Sequence, residues 1–289
     1  MIIWIASYPK SGNTWLRSIL NQILFVNPDN EKDILSNLHK NISGYPLLMH
    51  FADLDSSLKK KENIQNINNV IKNWELSQNR INENKKLKFF KTHNILTSIN
   101  LDGKTFDFTN LKNTLGVIYI VRDPRNVITS IKNHFFLNSY DEAFQMMIDK
   151  KRWIGTSELR VPQALSSWDQ HFNSWTFFPK NYILFKYEDL LSNPKKQIQR
   201  LAEYLQKFVK FDLNSKKIDK IILNSKFSNL KKLETQGLFE EKAVNPEIKE
   251  NRDFFYLGPD NDYSKILDDK TRYKIEEHFK VTMKKLSYI

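Results

Sequence analysis

The chain opens on an apolar run, Ile2 to Tyr8, rich in β-forming residues and closed by a Pro9-Lys10-Ser11-Gly12 turn. From Thr14 to Phe25 apolar residues recur at Trp15, Ile19 and Ile23, a helical period, so this stretch reads strand, turn, helix. Further apolar runs lie at Leu87 to Phe90, Val117 to Val121 and Tyr182 to Phe185; the last two lead into helix-compatible segments beginning near Pro124 and Pro194. Buried strands alternating with helices predict an α/β fold, a central and mostly parallel sheet flanked by helices. Asp53 to Lys88 is rich in Asn and Lys and carries Ile64, Ile67, Ile71 and Trp74 at helical spacing. It predicts a surface helical insertion over 53–88 that covers the sheet. The last long helix is expected over Asp268 to Leu286, and with no repeat or Pro/Gly/Ser-rich linker, one domain over 1–289 is favoured.

Composition narrows the chemistry. The 289 residues include no cysteine, which excludes disulfides, thiolate nucleophiles and sulfur-ligated metal sites. With 7 glycines there is neither a GxGxxG nor a GxxxxGK[ST] window, so nucleotide binding needs another device. No HExxH or GxSxG pattern occurs either, and no metal is expected. The formal charge of +12 suits a phosphate-bearing or acidic partner, or a solvated surface alone. The basic run Lys59 to Lys61 reads as a solvated face, and scattered charge argues against nucleic acid. The apolar start, broken by Ser7, Tyr8, Pro9 and Lys10, is too short for a signal or membrane segment, so a cytoplasmic protein without membrane contact is expected.

The strand-to-helix turn is the first candidate site. A helix start offers N–H groups and a positive dipole, Gly12 lets backbone approach an anion, Lys10 adds charge, and Ser11 and Thr14 add hydroxyls. Together they make a phosphate or sulfate cradle; the alternative is a plain turn with an exposed lysine. At the end of a second strand, Lys91 stands beside His93. Neutral imidazole accepts a proton near neutral pH while a lysine stays cationic, a division of labour suited to group transfer onto an alcohol. Arg122 follows a buried strand and presents a planar fork to a phosphate, unless it merely pairs with Asp123; Ser130, two helical turns on, is either a second donor or an ordinary helix residue.

The octet Tyr8-Pro9-Lys10-Ser11-Gly12-Asn13-Thr14-Trp15 resembles the 5′-phosphosulfate-binding loop of the cytosolic-type sulfotransferases. Phe90-Lys91-Thr92-His93 is similar to that family's Lys-Thr-His, whose histidine is the catalytic base. Val121 to Val127 with Ser130 resembles the segment whose arginine and serine hold the 3′-phosphate. Ser167-Trp168, His171 and Trp175 resemble a helical Ser-Trp-x-x-His pattern, read here as core packing. Tyr187 to Leu190 with Asn193-Pro194 resembles the segment whose tyrosine lies near adenine, and Ser225-Lys226-Phe227 the family's Thr-Ser-Phe nucleotide contact. The blocks follow the family's order as far as about residue 265. The resemblance implies a P-loop-like nucleotide site for 3′-phosphoadenosine 5′-phosphosulfate (PAPS), leaving adenosine 3′,5′-bisphosphate (PAP). Trp15 and Phe227 would take the adenine between them, with His93 as base, Lys10 on the leaving oxygen and Lys91 on the transferring group. A nucleotide phosphotransferase, or a sulfotransferase-like chain without activity, are the alternatives.

One segment departs from the family. Its Arg-Lys-Gly ahead of Gly-Asp-Trp corresponds here to Tyr256-Leu257-Gly258, then Asn261-Asp262-Tyr263, so both cations are missing while Gly258 and Asp262 remain. Arg252, four residues before Tyr256, is the candidate replacement if the loop folds back. Lys150 to Arg152 and Arg160 flank Trp153 in an expected loop that suits an anionic acceptor or is simply solvated. The small-molecule acceptor is otherwise unspecified. Without a clear Lys-x-x-x-Thr-Val motif the chain is expected to be a monomer or a homodimer.

Overall fold

The computed structural model describes residues 1–52, 54, 65–155, 161–239, 241, 243–245 and 250–289. Ile64, the Lys59 to Lys61 run and Arg160 lie outside the described residues. The chain divides into two compact units: residues 1–8, 43–119 and 148–184, and residues 9–42, 120–147 and 185–289.

Strands β1 (Ile2–Ala6), β2 (Ile42–Gly44), β3 (Lys88–Thr92), β6 (Thr114–Val121) and β9 (Tyr182–Lys186) form a sheet in the order β2-β3-β1-β6-β9, nearly all of it in the first unit. β1 runs parallel to both neighbours, with Ile5 opposite Lys91 and Ile118. Every residue of β1 is buried, as expected of a central parallel strand covered on both faces. Trp4 explains the local packing: its indole N–H donates to Thr114 Oγ1 (2.8 Å) while its ring meets Tyr45, Phe90 and Phe108. Two hairpins form ladders separate from this sheet, β4 (Ser98–Leu101) with β5 (Lys104–Asp107), and β7 (Trp153–Ile154) with β8 (Gln163–Ala164).

The described part of 53–88 is not one surface helix. It forms two short helices, Ile67–Lys72 and Trp74–Asn82, before β3. Val70, Ile71 and Trp74 are buried, and Gln78 donates to Phe108 O, so the segment is part of the first unit's core.

The second unit is mainly helical. The Asn13–Leu24 helix buries ten of its twelve residues, polar Arg17, Ser18, Asn21 and Gln22 included. These pay for burial through specific partners: Asn21 Nδ2 donates to Ile34 O (3.0 Å) and Gln22 Nε2 to Ser225 Oγ (3.0 Å). The apolar period therefore located the helix but understated how far it is enclosed. The Pro124–His134 helix starts where expected, with Pro at its first position and the Asp123 carboxylate accepting from Arg125 N (2.9 Å). Pro194–Leu205 likewise begins at its proline, capped by Asn193, although another helix, Tyr187–Ser192, precedes it. The long C-terminal helix spans Asp269–Lys285. Between Ser215–Asn224, Phe227–Thr235 and this helix lies the small ladder β10 (Ala243–Asn245) and β11 (Glu250–Arg252). Among the described residues no helix is long and apolar enough to cross a membrane.

Candidate active site

The second unit opens with a turn through Lys10, held at φ 67°, and Gly12 at φ 100°. Two left-handed residues in three let the turn close onto the start of the Asn13–Leu24 helix, a conformation that glycine adopts freely and lysine only under strain. Gly12 is also required sterically, since a Cβ there would lie 2.7 Å from Tyr187 Cδ2. Tyr187 touches two of the predicted nucleotide segments, those of Trp15 and Arg122. Its ring stands edge-on to Trp15 (centroids 5.0 Å apart) and beneath the Arg122 guanidinium (4.0 Å).

Arg122 is 6% exposed and does not pair with Asp123. Asp123 belongs to Arg125, whose Nη2 reaches it at 2.6 Å, and Arg125 is further tied to Glu276 (2.6 Å) and the Tyr288 carbonyl (2.8 Å). Two neighbouring arginines thus part company: Arg125 is locked into structure, while Arg122 keeps a buried Nε with no hydrogen-bond partner. Ser11 Oγ is in the same condition, in a residue with no exposed surface. Buried donors left unpaired cost free energy that an anionic ligand would recover, so these residues fit phosphate or sulfate oxygens. Lys10 Nζ lies 3.5 Å over the Phe254 ring and donates to Phe254 O (3.4 Å), a contact across 244 positions that no local pattern announces.

The C-terminal segment is fastened to the helix bearing Ser130. Asn261 Nδ2 donates to Asn126 O (2.8 Å) and Ser130 Oγ (3.3 Å), and its Oδ1 accepts from Thr129 Oγ1 (2.7 Å). Gly258, at φ 55°, has the Phe227 ring where a Cβ would stand, 2.3 Å away. Phe227 is therefore half-buried against Gly258, and edge-on to Phe255. The Ser225 hydroxyl accepts from Gln22 in the interior, which leaves its own proton to give. Arg252 reaches the end of the Ser130 helix, donating to Asn133 O (3.3 Å) over the Phe136 ring (4.5 Å). Thr14 Oγ1 accepts from Arg17 Nη2 (3.3 Å), and Arg17 grips the Glu241 carboxylate at 2.7 Å. That half-buried pair, 224 residues apart in the chain, was not legible from spacing.

The first unit holds Lys91 and His93. Lys91 is half-buried in β3, and its carbonyl accepts from Tyr45 N (2.8 Å). His93 Nδ1 lies 2.7 Å from the Ser7 carbonyl oxygen, which only accepts, so Nδ1 carries the proton and the basic lone pair is on Nε2. The His93 backbone is held as well: its N–H donates to Gln163 Oε1 (3.2 Å), and its carbonyl accepts from His171 Nε2 (3.1 Å). His171 in turn accepts from Tyr119 OH at Nδ1 (2.7 Å). Both ring nitrogens of this fully buried histidine are thereby assigned, and burial pushes its pKa down to about 3, keeping it neutral. The sequence suggested core packing for His171; its core position supports His93 directly.

Residues 2–287 match the sulfotransferase domain family. Sulfotransferase 1B1 of Canis lupus familiaris is 28% identical over 232 residues, covering 79% of this chain and 66% of that protein. Cytosolic sulfotransferase 5 of Arabidopsis thaliana is 24% identical over 290 residues, 95% of this chain and 77% of its own length. Retinol dehydratase, solved in complex with androsterone and inactive cofactor PAP, shares the fold at TM-score 0.62 and 17% identity, covering 98% of this chain and 80% of that one. A mouse sulfotransferase complexed with PAP aligns at TM-score 0.55 and 18% identity, over 97% and 83% of the two chains.

Proposed function

Because the chain belongs to the sulfotransferase domain family, we propose that it moves a sulfuryl group from PAPS to a hydroxyl, less readily an amine, of a small-molecule acceptor. The observation that carries this reading is the pair of buried, unpartnered donors, Ser11 Oγ and Arg122 Nε, on segments that converge on the Tyr187 ring. Two fold neighbours were solved with PAP, and that nucleotide is carried over here as the product of the donor. When bound, the donor supplies an activated sulfuryl group on a phosphate that leaves as an anion.

The chain's residues then take the following parts. Ser11, Gly12, Asn13 and Thr14 hold the 5′-phosphosulfate at the helix start, and Arg122 and Ser130 hold the 3′-phosphate. Trp15 and Phe227 take the adenine, with Tyr187, Ser225 and Gly258 as further nucleotide contacts, and Arg252 adds charge at the 3′-phosphate. His93 Nε2 accepts the acceptor's proton as its oxygen bonds to sulfur and the bond from sulfur to the phosphate oxygen breaks. Lys10 stabilises the electron pair left on that oxygen, and Lys91 supports the transferring group. These cations meet the charge, so the scheme needs no metal. We read residues 1–289 as one sulfotransferase domain working in the cytosol, where the names of its Arabidopsis relatives put those proteins.

Calorimetry with PAP and ATP, followed by PAP formation from PAPS with a panel of alcohols, phenols and amines, tests the reading. PAP binding with acceptor-dependent turnover is expected. ATP binding without PAP binding would point to phosphoryl transfer instead, and PAP binding without turnover on any acceptor would leave a binding protein.

A further inference from the structure

Arg152 stands one residue ahead of β7 with its backbone clamped: its carbonyl accepts from Leu165 N (2.8 Å) and Ser166 N (3.2 Å), and its N–H donates to Asp149 O (3.3 Å). Its side chain is half-buried, Nε is buried with no partner, and among the described residues the guanidinium makes no ion pair. Asp149 Oδ1 accepts instead from Lys151 N (2.9 Å), and Asp169 Oδ1 from Ser167 Oγ (2.7 Å). Tyr8 feels the Arg152 charge along with those of Asp149 and Asp169, but burial holds its phenol neutral, so it offers no countercharge. A guanidinium fixed at its base, partly desolvated and unpaired is an incomplete interaction.

Its place gives it a use. The β7–β8 hairpin that begins beside Arg152 pairs Ile154 with Gln163 and Trp153 with Ala164. Gln163 holds the His93 amide, and Ala164 bonds Asn94 Oδ1 (2.9 Å) and Ile95 N (2.7 Å) on the same loop. One small hairpin therefore anchors both His93 and Arg152, and Tyr8, next to Arg152's charge, directly follows the Ser7 carbonyl that orients the His93 ring. We infer that Arg152 is a specificity-determining residue for the acceptor, and that the preferred acceptors carry an anionic group, a carboxylate or sulfonate, beside the hydroxyl that His93 deprotonates. A planar carboxylate matches the guanidinium fork, and Nε gains the acceptor it lacks. The inference deepens the sulfotransferase reading and rests on it.

The test uses the full chain saturated with PAP, titrated calorimetrically with hydroxybenzoates, hydroxybenzenesulfonates and the corresponding uncharged amides, which separates acceptor binding from turnover. At least about tenfold tighter binding of the anionic member of a pair is expected. In Arg152→Ala that preference should collapse to about one, and Arg152→Lys should restore part of it. Equal binding of acid and amide by the wild type, no binding of either, or a preference that survives Arg152→Ala in a protein that still binds PAP, each overturns the inference. A wild-type chain that fails to bind PAP fails earlier, at the donor, and takes the acceptor assignment with it.

Discussion

Acidification should weaken this protein through two histidines, the fully buried His171 and the half-buried His50, and His171 can be isolated from the other. His171 is neutral in the folded chain, its pKa pushed down to about 3 by burial, and His50, stacked on Tyr45, is pushed down to about 4 by burial and then by Lys88. In the unfolded chain both titrate near 6.5, so below that pH the unfolded state binds more protons and stability falls with pH. The stability these neutral rings preserve is complete above pH 6.5 and is lost between 6.5 and the folded values of about 4 and 3. Between pH 7.5 and 4.5 each contributes roughly 2–3 kcal/mol of loss, at ~1.36 kcal/mol per pH unit. Glu188 acts with the opposite sign, because burial raises its pKa and the folded state holds that proton longer. Urea unfolding at the two pH values, with wild type and His171→Gln, isolates the term. The variant should lose stability at pH 7.5, where its Tyr119 and His93 partners are disturbed, yet show a pH 7.5-to-4.5 difference smaller by roughly 2–3 kcal/mol. An undiminished difference would refute the claim that His171 is buried neutral.

Four other outcomes follow from the site. His93→Ala should lower kcat by ~10²–10⁴-fold while PAP affinity stays near wild type, because His93 acts on the acceptor's proton; near-normal turnover with every acceptor would remove it as base. PAP should bind more than about tenfold tighter than AMP, with the preference shrinking in Arg122→Ala, as charge-assisted bonds of roughly 1.5–3 kcal/mol each are lost; calorimetry that finds equal affinities contradicts the assignment. Arg252→Ala should weaken PAP while sparing AMP, and unchanged affinity for both in a folded variant would leave Arg252 a structural residue that holds Asn133 and Phe136. Gly258→Ala should weaken nucleotide binding and lower the unfolding midpoint, since its Cβ would overlap the Phe227 ring at a positive φ; a wild-type melting curve would show that the ring moves aside without cost.

What the sequence determined by itself was local. Apolar runs marked β1, β3, β6 and β9 within a few residues, and Pro124 and Pro194 marked helix starts because a proline at the first helical position loses nothing. The Lys10-to-Trp15 turn was equally legible, since a left-handed glycine ahead of a helix is written in adjacent residues. Only the tertiary structure decided which polar groups are paired. It gave Asp123 to Arg125 rather than Arg122, set the His93 tautomer through Ser7, 86 residues away, and joined Asn261 to the Ser130 helix across 131. It also left Lys150 and Lys151 exposed while tying the Arg152 backbone to the residues after β8, and buried the Trp74 face of an expected surface helix. Backbone propensity acts over a few neighbours, whereas a buried hydrogen bond depends on which distant donor the packed chain brings to each acceptor, and that choice leaves no period along the sequence.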